Sequence, residues 1–241
     1  MALRRHAARM LLVCLFPSIA CATGVMPETS VVLLAEGKGE AAIKVRNTDS
    51  FPVILYTSVS DTAEDREPLV VATPLATRLE PGDEQLVRFM LVNDEPLRTE
   101  RLKRVVFEGI PPAAAGKEGV AFTVRQDLPV IVTPRGLQVD EQPWKHLSWH
   151  LRGRVLTLTN PSPYVVRLEQ RVTILPQGAV LTLPQRYILP KAHVELPLGD
   201  HIAPQRIHAL RLSTLSRYGY ATGTYDLPAG QLKPPQDAAS H

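Results

Sequence analysis

The chain has 241 residues, 27 Lys and Arg against 24 Asp and Glu, a formal charge of +3 and two cysteines. So small a charge excess gives no electrostatic footprint for nucleic acid, and two cysteines do not make a disulfide-dense scaffold. The length suits one large domain or two of about 100 residues.

The first residues read as an export signal, predicted over residues 1–22. Arg4, Arg5 and Arg9 form a basic start, Met10 to Ile19 is an apolar run, and Ala20-Cys21-Ala22 offers small residues for cleavage. The run is shorter than the roughly 20 residues that a membrane-spanning helix needs. Cys21 after Ala20 raises the question of a lipid anchor, but Ser18 stands where a lipid-attachment signal usually has Leu. Cleavage after Ala22 without a lipid is therefore expected. Cys14 and Cys21 leave with the signal, so the exported chain must be stable without a disulfide, and loss of the three arginines brings the formal charge to 0.

The remainder reads as short strands divided by turns. Val31 to Leu34 is a first strand, and Ala41-Ile43-Val45 alternates with Ala42-Lys44-Arg46 in the period of two that places one strand face against a core. Pro52 to Val59 is a third, and Asp61 to Pro68 is an acidic loop. Glu80-Pro81-Gly82-Asp83 is a tight turn in which Gly82 accepts a positive φ, and it opens the strand Gln85 to Leu91. Leu102 to Ile110 ends at Pro111-Pro112, whose missing amide hydrogens break a ladder. Val120 to Val132 follows as one long strand, and Pro129 inside it argues for a position at a sheet edge.

A polar stretch, Asp140-Glu141-Gln142-Pro143, marks the domain boundary, with a first domain predicted over residues 24–139, a second over 140–230 and a tail over 231–241. In the second domain Trp149 to Leu151, Val155 to Thr159, Tyr164 to Leu168, Val172 to Leu175, Leu181 to Leu183, Tyr187 to Leu189, Val194 to Leu198, Ile207 to Leu212 and Tyr218 to Tyr225 are strand-like. Turn signals every 8 to 12 or so residues and no sustained helical period predict an all-β chain of two immunoglobulin-like β-sandwich domains.

Chemistry-bearing patterns are scarce. The sequence contains no nucleophile elbow, glycine-rich phosphate loop or paired-cysteine metal motif. His146 and His150 are four apart, but they fall in a segment that reads as strand or turn, so surface or packing roles are expected and no metal site. Tyr218 and Tyr220 flank Gly219 and are expected to pack in the core and rim of a final hairpin. No enzyme activity, cofactor, small-molecule substrate or nucleic acid is expected. The distinctive feature is the row Val120, Phe122 and Val124, continued on the same parity by Leu128, Val130 and Val132. Such a row either fills the chain's own core or is offered to a partner along an open edge, and periodicity alone does not choose.

The order of motifs resembles the periplasmic pilus-assembly chaperones of the chaperone–usher pathway. The matching pieces are Pro27 to Leu33, Ile43 to Thr48, Thr73-Pro74-Leu75 followed by Arg78 to Gly82 and Leu86-Val87-Arg88, Phe107 to Pro112, Val120 to Val132, and Leu156 to Val165. The resemblance spans Gly24 to about Leu227. It implies two domains joined at an angle and a periplasmic chaperone that holds fimbrial subunits by donor-strand complementation and passes them to an outer-membrane usher. It also implies that Val120, Phe122 and Val124 enter the subunit.

One departure stands out. Members of that family usually carry an Arg in the first strand and a Lys near the end of the long strand to hold the subunit's terminal carboxylate. Those positions fall at Ser30 and Pro129 here. Thr29, Ser30, Arg101, Lys103, Arg104 and Arg125 are the candidate replacements, through hydroxyl or cationic hydrogen bonds to a carboxylate.

Overall fold

The computed structural model describes residues 24–112 and 123–229, and within them the chain is built almost wholly of strands. In the first half the strands are β1 (Val25–Pro27), β2 (Val32–Ala35), β3 (Glu40–Asn47), β4 (Val53–Ser60), β5 (Val70–Thr73), β6 (Ala76–Leu79), β7 (Glu84–Leu91), β8 (Arg101–Ile110) and β9 (Arg125–Thr133). They form a four-stranded sheet in the order β1-β3-β7-β5 and a five-stranded sheet in the order β2-β9-β8-β4-β6. The alternation read at Ala41-Ile43-Val45 is the pleat of β3, which buries Ile43 and Val45 and exposes Lys44 and Arg46. Val45, Val87 and Phe89 from one sheet meet Leu55, Val105 and Phe107 from the other. The Phe89 and Phe107 rings meet edge to face, their centroids 6.4 Å apart.

The second half contains β10 (Ser148–Arg152), β11 (Val155–Thr159), β12 (Val166–Leu175), β13 (Val180–Thr182), β14 (Tyr187–Ile188), β15 (His193–Pro197), β16 (Ala209–Leu215) and β17 (Ala221–Pro228). Its sheets run β10-β11-β15 and β13-β12-β16-β17, with β14 also on β12. A separate apolar core, including Leu156, Leu158, Leu168, Ile174, Leu210 and Leu212, fills the space between them. The molecule therefore comprises two β-sandwich-like units. Among the described residues, helix is confined to two single turns, Pro143–His146 and Pro204–Arg206.

Both units use one device to close a strand end. Buried Asn47, at the end of β3, donates from Nδ2 to the carbonyls of Phe51 at 3.0 Å and Leu79 at 3.1 Å. Buried Asn160, just after β11, donates likewise to Tyr164 at 2.8 Å and Ile188 at 3.1 Å. Each amide ties a loop carbonyl to one at a strand end, Phe51 with Leu79 and Tyr164 with Ile188, where an unpaired buried group costs about 1–3 kcal/mol. The tight turn after β6 has Gly82 at φ +83°, the positive value the sequence required.

Three readings of the sequence need correction. Val25–Pro27 and Val70–Thr73 are strands β1 and β5 that the sequence reading did not assign, because each is short and runs into a proline. The two runs Tyr164 to Leu168 and Val172 to Leu175 belong to one strand, β12, whose pairing with β16 shifts register between Leu168 and Val172. Finally, β9 is not an edge strand throughout: β8 pairs it on one side, and β2 joins it in parallel on the other from Val130 onward.

Between the units lies a third apolar cluster of Val31, Leu102, Ile131 and Val165, with Leu33, Tyr187 and Leu189 packed against it. It brings the outer face of the β2-β9-β8 sheet against β12 and β14.

Candidate functional site

The apolar row of β9 divides in two. Leu128, Val130 and Val132 are buried and belong to the first unit's own core, opposite Val105 and its neighbours on β8. Gln126 on the same parity is half-buried, and Val124, just before the strand, is 44% exposed. Val120 and Phe122 lie outside the described residues. β8 pairs with β9 from Arg125 to Val132, whereas β2 pairs only with Val130 to Thr133. Among the described residues, no strand therefore pairs with the second edge of β9 from Arg125 to Pro129. Pro129 sits at the last position before pairing begins, so the edge predicted from it exists, but only toward the N-terminal end of the strand.

The candidate cations divide by face. Arg101 and Lys103 share the parity of Val105 and Phe107 and are engaged by the loop between β4 and β5. Lys103 is 0% exposed, and its Nζ lies 2.9 Å from Asp61 Oδ1 and from Asp65 Oδ1. It also donates to the carbonyls of Asp65 at 2.9 Å and Glu67 at 2.7 Å. Arg101 Nε donates to Asp65 Oδ2 at 2.6 Å and its Nη2 to Glu67 Oε2 at 2.9 Å. Burial pushes the Asp65 carboxyl up, but the hydrogen bonds and charges of Arg101 and Lys103 outweigh it, and the group ends below its ordinary value. Arg101 is raised, first by its bond to Asp65 and against the opposing effect of burial.

Arg104 lies on the other face, directly opposite Pro129, with its Nε 2.9 Å from Asp127 Oδ1. Arg125 Nε lies 2.8 Å from Glu108 Oε2 on the exposed part of the strand pair. Thr29 Oγ1 bonds locally to the Val31 carbonyl at 3.1 Å. Ser30 reaches across to the second unit, where its Oγ donates to the Tyr218 carbonyl at 2.6 Å. The structure thus draws Ser30 and Arg104 to the space between the units and Arg101 and Lys103 into the first unit's loop.

Two residues at this junction were not singled out in the sequence. Arg167 follows the parity of Val165 on the face of β12 turned to the first unit, half-buried, and its Nη1 donates to the Arg217 carbonyl at 2.9 Å. Glu100 is buried where the units meet; its Oε2 accepts from the Val165 amide at 2.8 Å and its Oε1 from Thr133 Oγ1 at 3.2 Å. Nothing in the local pattern marks either residue, since each acquires its setting from the other unit. Burial pushes the Glu100 carboxyl up, opposed by the Val165 and Thr133 hydrogen bonds.

A pH dependence follows from Glu100. Because its folded value is raised, the folded state binds the proton more readily than the unfolded chain. Its contribution favours folding at low pH and is lost as pH rises from the ordinary carboxylate value of 4.5 through the raised one. Glu100→Gln is expected to flatten that part of the stability profile. Melting of both proteins between about pH 4 and 7 measures it, and parallel profiles would contradict the assignment.

Tyr218 and Tyr220 do not fill a hairpin core as expected. Tyr220 is 68% exposed at the tip between β16 and β17 and faces an open groove shared with Thr29, Ser30 and Gln126. His146 Nε2 lies 2.7 Å from Asp140 Oδ2 and its ring stacks on Tyr164. Among the described residues no group of three or more His, Cys, Asp and Glu is placed to hold a metal ion.

Two β-sandwich units meeting beside a partly open strand are the architecture of pilus-assembly chaperones, and comparison with known proteins agrees. Residues 24–138 match the family described as "Pili and flagellar-assembly chaperone, PapD N-terminal domain", and residues 142–225 match "Pili assembly chaperone PapD, C-terminal domain". The chain belongs to this family. It is 38% identical over 205 residues to the uncharacterized fimbrial chaperone YhcA of Escherichia coli K12, covering 85% of this chain and 90% of that protein. It is 28% identical over 182 residues to the chaperone protein caf1M of Yersinia pestis, covering 65% and 68%. Among solved structures, the E. coli chaperone DraB superimposes with a TM-score of 0.69 at 19% identity, covering 85% of this chain and 97% of that one. A chain from the Salmonella enterica complex of SafA pilin with the SafB chaperone superimposes with a TM-score of 0.70 at 19% identity, covering 86% and 97%.

Proposed function

We propose that this protein is a periplasmic chaperone that holds fimbrial subunits by donor-strand complementation along β9 and delivers them to an outer-membrane usher. The observation that carries the reading is the division of the β9 row. Leu128, Val130 and Val132 are used by the chaperone's own core, while Val124 stands exposed beside a stretch of β9 with one edge unpaired. A subunit lacking its own last strand supplies an apolar groove and an unpaired edge. Val120, Phe122 and Val124, spaced by two, enter the groove while the backbones pair and fix the register. Each large side chain so buried contributes about 1.5–3 kcal/mol. A pilin is named in complex with its chaperone in one of the similar structures, which supports the choice of partner.

In this reading the units are immunoglobulin-like domains joined at an angle, the first over 24–139 and the second over 140–230. A signal over 1–22 directs the chain to the periplasm and is removed. Intact mass of the exported protein is expected to correspond to a start at Thr23; a mass carrying a diacylated Cys21 would contradict the soluble form. Capture itself is tested by mixing the purified mature protein with subunits encoded beside its gene. A stable one-to-one complex on sizing is expected, and no complex with any of them would count against the assignment.

A further inference from the structure

The tip between β16 and β17 is a rigid mount for an exposed aromatic side chain. The Ser216 amide donates to the Tyr220 carbonyl at 2.8 Å, the Gly219 amide to the Ser216 carbonyl at 2.8 Å, and the Tyr220 amide to Ser216 Oγ at 3.2 Å. Gly219 supplies the positive φ, +85°, that this turn requires. Both domains then pin the tip from outside. Arg167 Nη1 on β12 donates to the Arg217 carbonyl at 2.9 Å, and Ser30 Oγ, from the segment between β1 and β2, donates to the Tyr218 carbonyl at 2.6 Å. Tyr220 is nevertheless 68% exposed, and it lines an open groove with residues 26–30 of the first domain and residues 126–128 of β9. A lone exposed tyrosine is ordinary. One whose backbone is fixed from two domains, beside an unpaired strand edge, has lost its freedom before any partner arrives, and that is the condition under which an aromatic side chain contributes most to binding.

We propose that Tyr220 is a subunit-contact residue contributed by the second domain, that it packs on a large uncharged side chain of the subunit strand paired along β9, and that Ser30 positions it. The inference rests on the chaperone reading above. Among the described residues no strand pairs with the second edge of β9 from Arg125 to Pro129, and residues 126–128 of that stretch are the ones that line the groove. An extended chain added to this edge therefore runs through the groove, and side chains spaced by two along one of its faces come against Tyr220. The lining suits an apolar group: Met26 is 50% exposed there, with Pro27 and Leu128 in the same wall. Glu28 and Asp127 also line the groove, so an acidic side chain meets like charge and is disfavoured. Ser30 acts through the hairpin, since its hydroxyl hydrogen is spent on the Tyr218 carbonyl.

The test is a competition in which tagged wild-type mature chaperone and an untagged variant share a limiting amount of one subunit encoded beside the gene, and the subunit held by each is measured by mass spectrometry. Tyr220→Ala is expected to hold the subunit about tenfold less well than wild type, as loss of an aromatic anchor should, while melting as wild type does because the side chain is exposed. Undiminished capture by Tyr220→Ala overturns the inference and leaves the chaperone reading standing, whereas failure of the wild type to hold any such subunit overturns both. Tyr220→Phe keeps the ring and is expected to hold the subunit nearly as wild type does; a loss as great as that of Tyr220→Ala overturns packing on the ring. Ser30→Ala is expected to weaken capture less than Tyr220→Ala, and Ser30→Thr, which keeps the hydroxyl, to restore it. Ser30→Ala combined with Tyr220→Ala is expected to lose no more than Tyr220→Ala alone, because Ser30 acts through that side chain. Unchanged capture by Ser30→Ala, or losses that add in the double variant, overturn the positioning role, since a Ser30 that merely supported the fold would exact its cost in either background.

Discussion

Asp65→Ala is expected to destabilise the first domain by about 3 kcal/mol, near the lower end of the range seen when one partner of a buried ion pair is removed. Asp65 is the carboxylate shared by Arg101 and Lys103, and Lys103 is wholly buried. Removing it leaves the ammonium to Asp61 and two carbonyls, which is why the cost falls at the low end. For a chain of this size, about 3 kcal/mol lowers the melting temperature by roughly 6–12 °C. Asp65→Asn separates charge from shape, since it keeps an acceptor but not the negative charge, and is expected to fall between wild type and Ala. The pH dependence has the opposite sign to that of Glu100. Because the Asp65 carboxyl is held below its ordinary value of 3.8, its stabilisation is present above that value and is lost as pH falls through the lowered one. An Asp65→Ala protein that melts within about 1 °C of wild type at neutral pH would show that the buried amine needs no carboxylate.

Phe122→Asp and Val124→Asp are expected to abolish subunit capture. A carboxylate entering an apolar groove is desolvated without a partner, and the side-chain burial of about 1.5–3 kcal/mol that it replaces is lost as well. For Val124 the free chaperone is expected to melt as wild type does, because the side chain is exposed before any partner arrives. Leu128→Asp, on the same parity only a few residues on, is the contrast: that side chain is in the core, and the variant is expected to lose several kcal/mol or fail to fold. Thr123→Asp, on the opposite parity and exposed, is expected to affect neither property. Denaturant melting followed by circular dichroism reports the fold, and co-purification of a subunit reports capture. A folded Val124→Asp protein that retains subunit at wild-type yield would remove this residue from the donated strand.

The alternation within β3 and β7, the ladder break at Pro111-Pro112 and the glycine turn at Gly82 were legible in the amino-acid sequence because each depends on neighbours along the chain: the pleat's period of two, a missing amide hydrogen, a positive φ. The order of those motifs also carried the family, and the all-β character followed from strand length and turn chemistry. What the sequence left open was decided by partners distant in the chain. The parity that joins Val124 to Leu128, Val130 and Val132 is continuous in sequence, yet its use changes where β2 begins to pair at Val130, some hundred residues away from it in the chain. Arg101, Lys103 and Arg104 are near neighbours of similar chemistry, and only the pleat of β8 sends the first two to the loop carboxylates and the third to the junction. Glu100 is an ordinary residue by pattern; its setting comes from the approach of the other domain, whose Val165 amide it accepts a hydrogen bond from where the units meet. Local rules determined the strands and turns, and tertiary structure decided which strand edge was left without a partner and which charges were paired.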